Sequence, residues 1–310
     1  MLRAGLLALA RSRRLQQAAL RTPLLRNAAR RFVAGEALDD ALAAIRRLNA
    51  AGLPATLDFL GEGVDTAARA EASGEAYARI LDAVRASGVE SHLSLKLTQL
   101  GLDVDPALCQ GILRRILAEA GETFVRIDME SSAYTDRTLR LFEALWAEGF
   151  RNVGVVIQSY LRRSAADVER LIGLGARVRL VKGAYAEPPA VAFPRKADVD
   201  RNFALLAERL LSHGTYPAIA THDERLIERT IAFASTEGIP PDRFEFQMLY
   251  GVRRDLHLGL RRRGFRVRIY VPFGEEWYPY FMRRLAERPA NVLFIVRSML
   301  KERRVEEGNK

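Results

Sequence analysis

The chain has 310 residues, of which 49% are hydrophobic, and it carries a formal net charge of +10. That is enough apolar material for one large core or two smaller ones. The single cysteine, Cys109, excludes a disulfide framework and a multi-cysteine metal site and favours a reducing compartment. No apolar run approaches the ~20 residues that a membrane-spanning helix needs.

The positive charge is concentrated at the N-terminus. Residues 1–31 contain eight arginines and no acidic residue, and the first carboxylate is Glu36, so the remainder carries only +2. A nearly neutral body argues against nucleic-acid binding by that body. Three interpretations of the basic arm stay open: a helix packed on the body, a membrane-surface helix, or an arginine-rich targeting segment.

From residue 54 onward, short apolar runs alternate with amphipathic stretches. Each run is bounded by Gly, Pro, Asn or Ser, and most are rich in Val, Ile or Phe, which is typical of β-strands. The predicted strands are residues 55–61, 91–97, 123–129, 153–159, 177–183, 217–222, 243–249 and 267–273. The predicted helices are residues 67–86, 106–120, 136–148, 165–174, 198–212, 224–237, 253–263 and 277–287. Asp105 followed by Pro106 is a typical helix start, with proline at the first helical position.

Strict alternation of strands and helices predicts parallel strands joined by crossover helices. Eight repeats within residues 54–288 predict an α/β fold of the (β/α)8 TIM-barrel type, whose usual size is ~250 residues. A doubly wound open sheet is the alternative, but no glycine-rich phosphate loop follows any predicted strand. We expect residues 1–53 to form an N-terminal helical arm packed on the barrel, and residues 54–310 to form the catalytic barrel with its C-terminal helix.

Polar side chains are predicted at the C-terminal ends of the strands, where the active site of such a barrel lies. They are Asp58, Glu62, Lys96, Asp128, Glu130, Gln158, Arg179, Lys182, Thr221, His222, Gln247 and Tyr270. Charged groups within apolar strands are unfavourable unless they are paired or bind a ligand, so this gathering indicates a functional site. No HExxH pair and no paired CxxC occurs, so no metal site is predicted.

The last predicted helix carries two adjacent arginines, Arg283 and Arg284. Tyr280 and Glu287 lie three or four residues from them and therefore share their helix face. Two planar guanidinium groups on one face are suited to bind a carboxylate through parallel hydrogen bonds. The residues alone therefore predict a barrel enzyme that binds a small carboxylate and leave open whether it also uses an anionic cofactor.

Seven motifs along the barrel carry a resemblance to a known family. They are SLKL (94–97), RIDME (126–130), QSY (158–160), RLVKGAY (179–185), ATHD (220–223), EFQMLYG (245–251) and RIYVPFG with YPYFMRRLAE (268–287). Together they resemble proline dehydrogenase, and we expect the stand-alone bacterial form because no aldehyde dehydrogenase half follows residue 310. The resemblance implies FAD-dependent oxidation of L-proline to Δ1-pyrroline-5-carboxylate, the first step of proline catabolism to glutamate. It implies hydride transfer from proline C5 to flavin N5, with electrons passed on to quinone.

The resemblance also implies roles for individual residues. The implied substrate-binding residues are Lys96, Ala184, Leu249, Tyr270, Tyr280, Arg283 and Arg284. The implied cofactor-binding residues are Asp128, Gln158, Arg179, Lys182, Gly183, Ala184, Thr221, His222 and Gln247. The implied catalytic residues are Lys96, Asp128, Arg179 and Tyr270, with Asp128 paired to Lys96. The implied gate is Glu62, Arg283 and Glu287, in which Glu62 pairs with Arg283 on closure and Glu287 braces Arg284.

Partners and location follow from the same resemblance. It implies a quinone acceptor, transient contact with pyrroline-5-carboxylate dehydrogenase, and peripheral contact with the inner membrane from the cytoplasm, while the nearly neutral body predicts no nucleic-acid partner. Ala186 departs from the tryptophan of related bifunctional enzymes, which leaves the local flavin packing open. Two alternatives remain: another flavin barrel, such as a methylenetetrahydrofolate reductase-like protein, and a basic membrane- or nucleic-acid-binding protein that uses the arm.

Overall fold

Eight parallel strands close into a barrel in chain order. The structure is a computed structural model that describes residues 29–61 and 63–287, the last two by their backbone only. β1 pairs with β2 on one side and with β8 on the other, so that Ala55 lies opposite Ser91 and Ile269. The predicted (β/α)8 barrel is therefore confirmed. Residues 1–28 of the predicted arm lie outside the described residues, and the division at residue 53 stays a prediction.

The elements agree in order with those predicted from the sequence. The strands are β1 (Ala55–Phe59), β2 (Ser91–Leu95), β3 (Val125–Ile127), β4 (Val153–Gln158), β5 (Arg177–Val181), β6 (Ala218–Ala220), β7 (Glu245–Leu249) and β8 (Val267–Phe273). The helices are α1 (Leu38–Ala50), α2 (Ala67–Ser87), α3 (Pro106–Ala120), α4 (Ser132–Ala147), α5 (Ser164–Gly173), α6 (Lys196–His213), α7 (Glu224–Thr236), α8 (Arg254–Arg262) and α9 (Trp277–Glu287). Short 3-10 helices at Leu97–Leu100 and Pro241–Arg243 were not predicted.

Local sequence signals explain where several helices begin and end. The Asp105 side chain accepts a hydrogen bond from the backbone N–H of Ala107 at 2.8 Å, and Pro106 occupies the first turn of α3, as predicted. Asp223 caps α7 in the same way. Most strands are shorter than the apolar runs that predicted them, because those runs continue into the loops that line the barrel mouth.

The barrel interior is polar, whereas the outer face of its strands is apolar. Successive residues of a strand point to opposite faces. The outer set packs against the helices as the main core and includes Leu57, Leu93, Val125, Val155, Leu180, Phe246 and Ile269. Burying each such side chain contributes about 1.5–3 kcal/mol. The inner set includes Asp58, Ser94, Lys96, Arg126, Gln158, Arg179, Glu245, Gln247 and Arg268, all buried. Most barrels fill this space with branched apolar side chains, so the buried charges here require partners.

The first and last described helices do not occupy the positions that a simple alternation of strands and helices predicts. α1 packs against β8 and β1 and closes the barrel wall there, with Ala41, Leu42 and Ile45 buried. α9, which follows β8, packs instead in a separate apolar cluster with Leu60 and Val252, just beyond the C-terminal ends of β1 and β7. The N-terminal segment therefore supplies a wall helix, and α9 is left to cover the mouth.

Candidate active site

A cavity of about 1260 Å³ opens at the C-terminal mouth of the barrel. Ligand sites for drug-sized molecules usually measure about 300–1,000 Å³, so this space exceeds the need of a single small substrate. Two predicted gate residues, Glu62 and Glu287, have side chains outside the described part of the chain. All of the other predicted site residues line this cavity. They are Lys96, Asp128, Gln158, Arg179, Lys182, Gly183, Ala184, Thr221, His222, Gln247, Leu249, Tyr270, Tyr280, Arg283 and Arg284.

Arg179 occupies the centre of the cavity floor. Its Nη1 donates to Asp128 Oδ1 at 2.7 Å, and its Nε donates to Gln247 Oε1. Tyr270 donates its hydroxyl to the other oxygen of Asp128 at 2.7 Å, and the guanidinium lies over the Tyr270 ring at 5.3 Å. Asp128 also accepts from Ser94 Oγ at 2.8 Å. Four strands thus hold one cation in a fixed orientation beneath the cavity.

Lys96 lies at the end of β2, beside β1. Its Nζ pairs with Asp58 at 3.2 Å, and both side chains are buried. The expected pairing of Lys96 with Asp128 is therefore wrong: Asp128 pairs with Arg179 instead. The reason is the strand register, because the Lys96 side chain extends toward the neighbouring β1, whereas Arg179 reaches across the barrel to β3.

Burial changes the pKa values of two groups on the cavity floor, Asp58 and Tyr270. Burial raises the pKa of Asp58 above its ordinary value; Lys96 opposes this rise and Asp128 adds to it. Burial also raises the pKa of Tyr270 well above its ordinary value, and the negative charge of Asp128 adds to the rise. Tyr270 therefore stays protonated across the physiological pH range, and its hydroxyl donates a hydrogen bond to Asp128.

α9 carries aromatic and basic side chains over one end of the cavity. Tyr280, Arg283 and Arg284 line it together with Leu249, the last residue of β7. The Arg284 guanidinium lies over the Tyr280 ring at 5.1 Å, which orients it by a cation–π contact. The remaining gate residues, Glu62 and the Glu287 side chain, lie outside the described residues, so the gate stays a prediction.

The opposite end of the cavity is a charged rim at the ends of β5 and β6. Lys182 Nζ contacts Asp200 at 2.6 Å and Asp223 at 2.8 Å. The basic residues among those lining this rim are Lys182, Lys196, Arg201, Arg225, Arg229 and Arg253. The acidic ones are Asp200, Asp223 and Glu224. Some of these cations also pair with carboxylates outside the lining, such as Arg229 with Glu208 and Arg253 with Asp255, so the rim offers a phosphate-bearing ligand N–H donors rather than a large excess of positive charge.

Backbone and amide groups between the two ends complete the lining. Gln158 donates its amide hydrogens to the carbonyls of Met129 and Glu130 at 3.4 and 3.2 Å. Its Oε1 is buried and accepts no hydrogen bond from the residues the structure describes, so it is free to accept from a ligand N–H. Gly183 has a φ of +113°, and a Cβ there would meet the Tyr160 ring at 2.3 Å, so only glycine fits. His222 Nε2 accepts from the backbone N–H of Leu249 at 3.0 Å and thereby ties β6 to β7.

Several residues that complete the network were not assigned a role from the sequence. The sequence indicates Asp58 only as a polar residue near a strand end, and it indicates no role for Ser94, Glu245 and Arg268. Glu245 and Arg268 form a buried ion pair at 3.0 Å below Gln247. A signal for them existed: each lies two residues before a predicted site residue, Gln247 or Tyr270, and so shares its strand face.

The fold and this site define a class of protein: a (β/α)8 barrel with a large polar cavity at the mouth where the active sites of such enzymes lie. Residues 41–297 match the family model described as proline dehydrogenase. The chain is 44% identical over 281 residues to the proline dehydrogenase of Deinococcus radiodurans, covering 89% of this chain and 91% of that protein. It is 43% identical over 276 residues to proline dehydrogenase 1 of Bacillus subtilis, covering 88% and 91%. The chain therefore belongs to the proline dehydrogenase family.

A solved structure gives the same result for the fold. Proline utilization A from Bdellovibrio bacteriovorus, inactivated by N-propargylglycine, superposes with a TM-score of 0.79 at 27% identity. The match covers 84% of this chain but 32% of that one, so the chain spans about a third of the solved protein's length. Within residues 29–61 and 63–287, no helix is long and apolar enough to cross a membrane. No group of His, Cys, Asp and Glu in the same part of the chain could hold a metal ion.

Proposed function

We propose that this chain oxidises L-proline to Δ1-pyrroline-5-carboxylate with FAD as its cofactor, in the catabolism of proline. The observation that carries the proposal is the division of one cavity into two chemically different ends. One end combines two arginines and a lysine with Leu249, Tyr270 and Tyr280, and the other is a basic rim. The first suits a small ring that bears a carboxylate, and the second suits the phosphates of a dinucleotide.

The residues present fit FAD. The buried Gln158 Oε1 lacks a donor among the described residues and suits a ring N–H such as that of the flavin pyrimidine. Lys182, Thr221, His222 and Gln247 line the cavity where the ribityl, phosphate and adenosine parts would lie. When bound, FAD supplies the acceptor for the hydride that leaves proline C5. Arg179 provides a fixed positive charge that stabilises the negative charge gained in that step.

The substrate residues act by orientation. Arg283, Arg284 and Lys96 hold the proline carboxylate by charge-assisted hydrogen bonds, and Leu249, Tyr270 and Tyr280 enclose the ring. The same cations lower the pKa of the proline amine by like-charge repulsion, which favours the neutral amine that must be present before hydride loss. The aromatic enclosure excludes water from the ring face.

An anaerobic titration tests the proposal directly. The purified protein should show a flavin absorption spectrum, and L-proline should bleach it without oxygen. D-proline and glycine serve as matched controls, because the first reverses the C2 geometry and the second lacks the ring. If the purified protein is colourless and does not bind FAD, a binding module is favoured. If it binds flavin but L-proline does not bleach the flavin, a different flavin barrel is favoured.

We further propose that quinone accepts the electrons and that the product passes to a pyrroline-5-carboxylate dehydrogenase. The basic segment 1–31 then serves peripheral contact with an anionic membrane surface. Deleting residues 1–28, which spares the buried Ala29 that packs with α9, should reduce co-sedimentation with anionic liposomes and leave proline-dependent bleaching unchanged. Equal co-sedimentation of both proteins would remove the arm from this role.

A further inference from the structure

A chain of buried hydrogen bonds links the cavity floor to the lower part of the barrel. Arg179 Nε donates to Gln247 Oε1, and Gln247 Nε2 donates to Glu245 Oε1. Glu245 accepts from Arg268 Nε at 3.0 and 3.1 Å and from the Tyr216 hydroxyl at 3.3 Å. Glu245 is only 1% exposed and Arg268 4%. Neither lines the cavity, so neither can contact a ligand there.

The donor and acceptor chemistry fixes the direction of this chain. An arginine N–H can only donate, so Gln247 must turn its oxygen toward Arg179. An amide can rotate by half a turn and offer its NH2 group instead, which would place two donors face to face. Glu245 prevents this rotation, because its carboxylate only accepts and therefore holds the NH2 end of Gln247. Burial raises the pKa of Glu245, but Arg268 and its hydrogen bonds outweigh burial, so the pKa lies below its ordinary value and the group stays ionised.

Arg179 is consequently held at two points. Asp128 and Ser94 hold its Nη1, at 2.7 and 3.4 Å, and Gln247 holds its Nε. One contact alone would leave the planar guanidinium free to turn about its side-chain bonds. Two contacts define the plane of the group and its place in the cavity floor.

We propose that Glu245 is a positioning residue for Arg179 and acts through the amide orientation of Gln247. The part of this proposal that concerns catalysis rests on the proposed function, in which Arg179 serves the flavin reaction. The competing explanation is that Glu245 only neutralises Arg268 and has no influence on Arg179. The two explanations differ in what happens to Arg179 when the ion pair is removed as a unit.

The first test is the double variant Glu245→Leu with Arg268→Met in the full chain. Removing both charges together avoids stranding one of them, which is the change that most often prevents folding. We expect the Arg179 Nε–H proton, followed by NMR in 15N-arginine-labelled protein and assigned with Arg179→Lys, to exchange with solvent at least ~10-fold faster. An unchanged exchange rate overturns the proposal.

A matched control separates positioning from a general loss of stability. The pair of Arg163, the residue just before α5, and Asp167 of α5, at 2.7 Å, lies away from the cavity lining, and Asp167 is buried. The double variant Arg163→Met with Asp167→Leu should leave the Arg179 signal unchanged. A control that accelerates exchange as much as the test variant also overturns the proposal.

A swap of the two strand residues provides a second, independent test. In Gln247→Glu two carboxylates face each other, and their repulsion should move the side chain at position 247 away from Arg179. In Glu245→Gln with Gln247→Glu this repulsion is absent, because the amide at position 245 donates its NH2 group to the carboxylate at position 247, which accepts from Arg179, and the total charge is restored. We expect the swap to return the exchange rate to within ~2-fold of the wild type. A swap that behaves like Gln247→Glu alone refutes the orientation mechanism.

The flavin provides a readout that distinguishes this proposal from the proposed function. With Arg179 released, the preference for the reduced flavin should fall about 10-fold, which is a midpoint potential lower by about 30 mV for a two-electron couple. The swap should restore the potential. If the wild type binds no flavin, the proposed function fails, while the exchange rates still decide the positioning of Arg179. If exchange accelerates but the potential stays unchanged, the catalytic part of this proposal is overturned.

Discussion

The pair of Asp128 and Arg179 gives the sharpest test of the polar barrel interior. The variant Asp128→Asn keeps the shape of the side chain and one oxygen for Arg179 but removes the negative charge. The two charged groups lie 2.7 Å apart, and their side chains are 14% and 6% exposed. At an effective dielectric constant of ~20 this distance corresponds to about 6 kcal/mol of attraction.

The net loss of stability should be smaller than this attraction. Removing one partner of a buried pair usually costs about 3–5 kcal/mol, and arginine cannot escape the cost by losing its proton. Because asparagine still accepts a hydrogen bond, we expect a loss of about 3 kcal/mol. Equilibrium unfolding in urea, followed by far-UV circular dichroism and extrapolated linearly to water, measures this loss.

A surface pair provides the control for this variant. Arg209 and Glu169 form a two-point pair at 2.6 and 2.7 Å, so they make one more contact than the single Nη1–Oδ1 contact of the buried pair, but both side chains are exposed to solvent. Glu169→Gln should therefore change the stability far less than Asp128→Asn, because water screens both charges. If the two variants lose similar amounts of stability, burial does not set the strength of the interior network and the reasoning fails.

Three further predictions concern the substrate end and the core. Lys96→Met should move the midpoint of kcat/KM to higher pH, because the pKa of the proline amine is lowered less when one of the three cations is removed; an unchanged midpoint excludes Lys96 from this effect. Arg284→Met should weaken the binding free energy of proline by about 3 kcal/mol, which raises Kd at least ~100-fold. The control Arg262→Met, at an exposed position, should leave Kd unchanged. Normal proline binding by Arg284→Met would refute the carboxylate clamp. Burial lowers the pKa of His257 to about 4, below the ~6.5 of the unfolded chain, so its contribution to stability is present above pH ~6.5 and is lost as the pH falls toward 4. Urea unfolding at pH 7 and pH 4.5 measures the loss of unfolding free energy between these pH values, and His257→Leu should reduce this loss by up to about 3 kcal/mol. An equal loss in both proteins would contradict the assignment.

The sequence indicated some of the charged residues of the barrel interior but not others. Charge within an apolar strand correctly directed attention to Lys96 and Arg179, because an unpaired charge there would be too unfavourable to keep. The same rule applies to Glu245 and Arg268, yet they lie deeper in the barrel than the strand ends on which the prediction concentrated. The depth of a residue follows from the register of eight staggered strands, and no single strand contains that register.

The sequence by itself determined the fold class and which polar residues gather at the mouth. Alternating apolar runs and amphipathic helices require a parallel sheet covered by helices, because only that arrangement buries both patterns. The tertiary structure decided which charges pair: Asp58 with Lys96, and Asp128 with Arg179. It also placed α1 in the wall and α9 over the mouth. These outcomes depend on contacts between segments far apart in the chain, and the local periodicity of a sequence carries no information about such contacts.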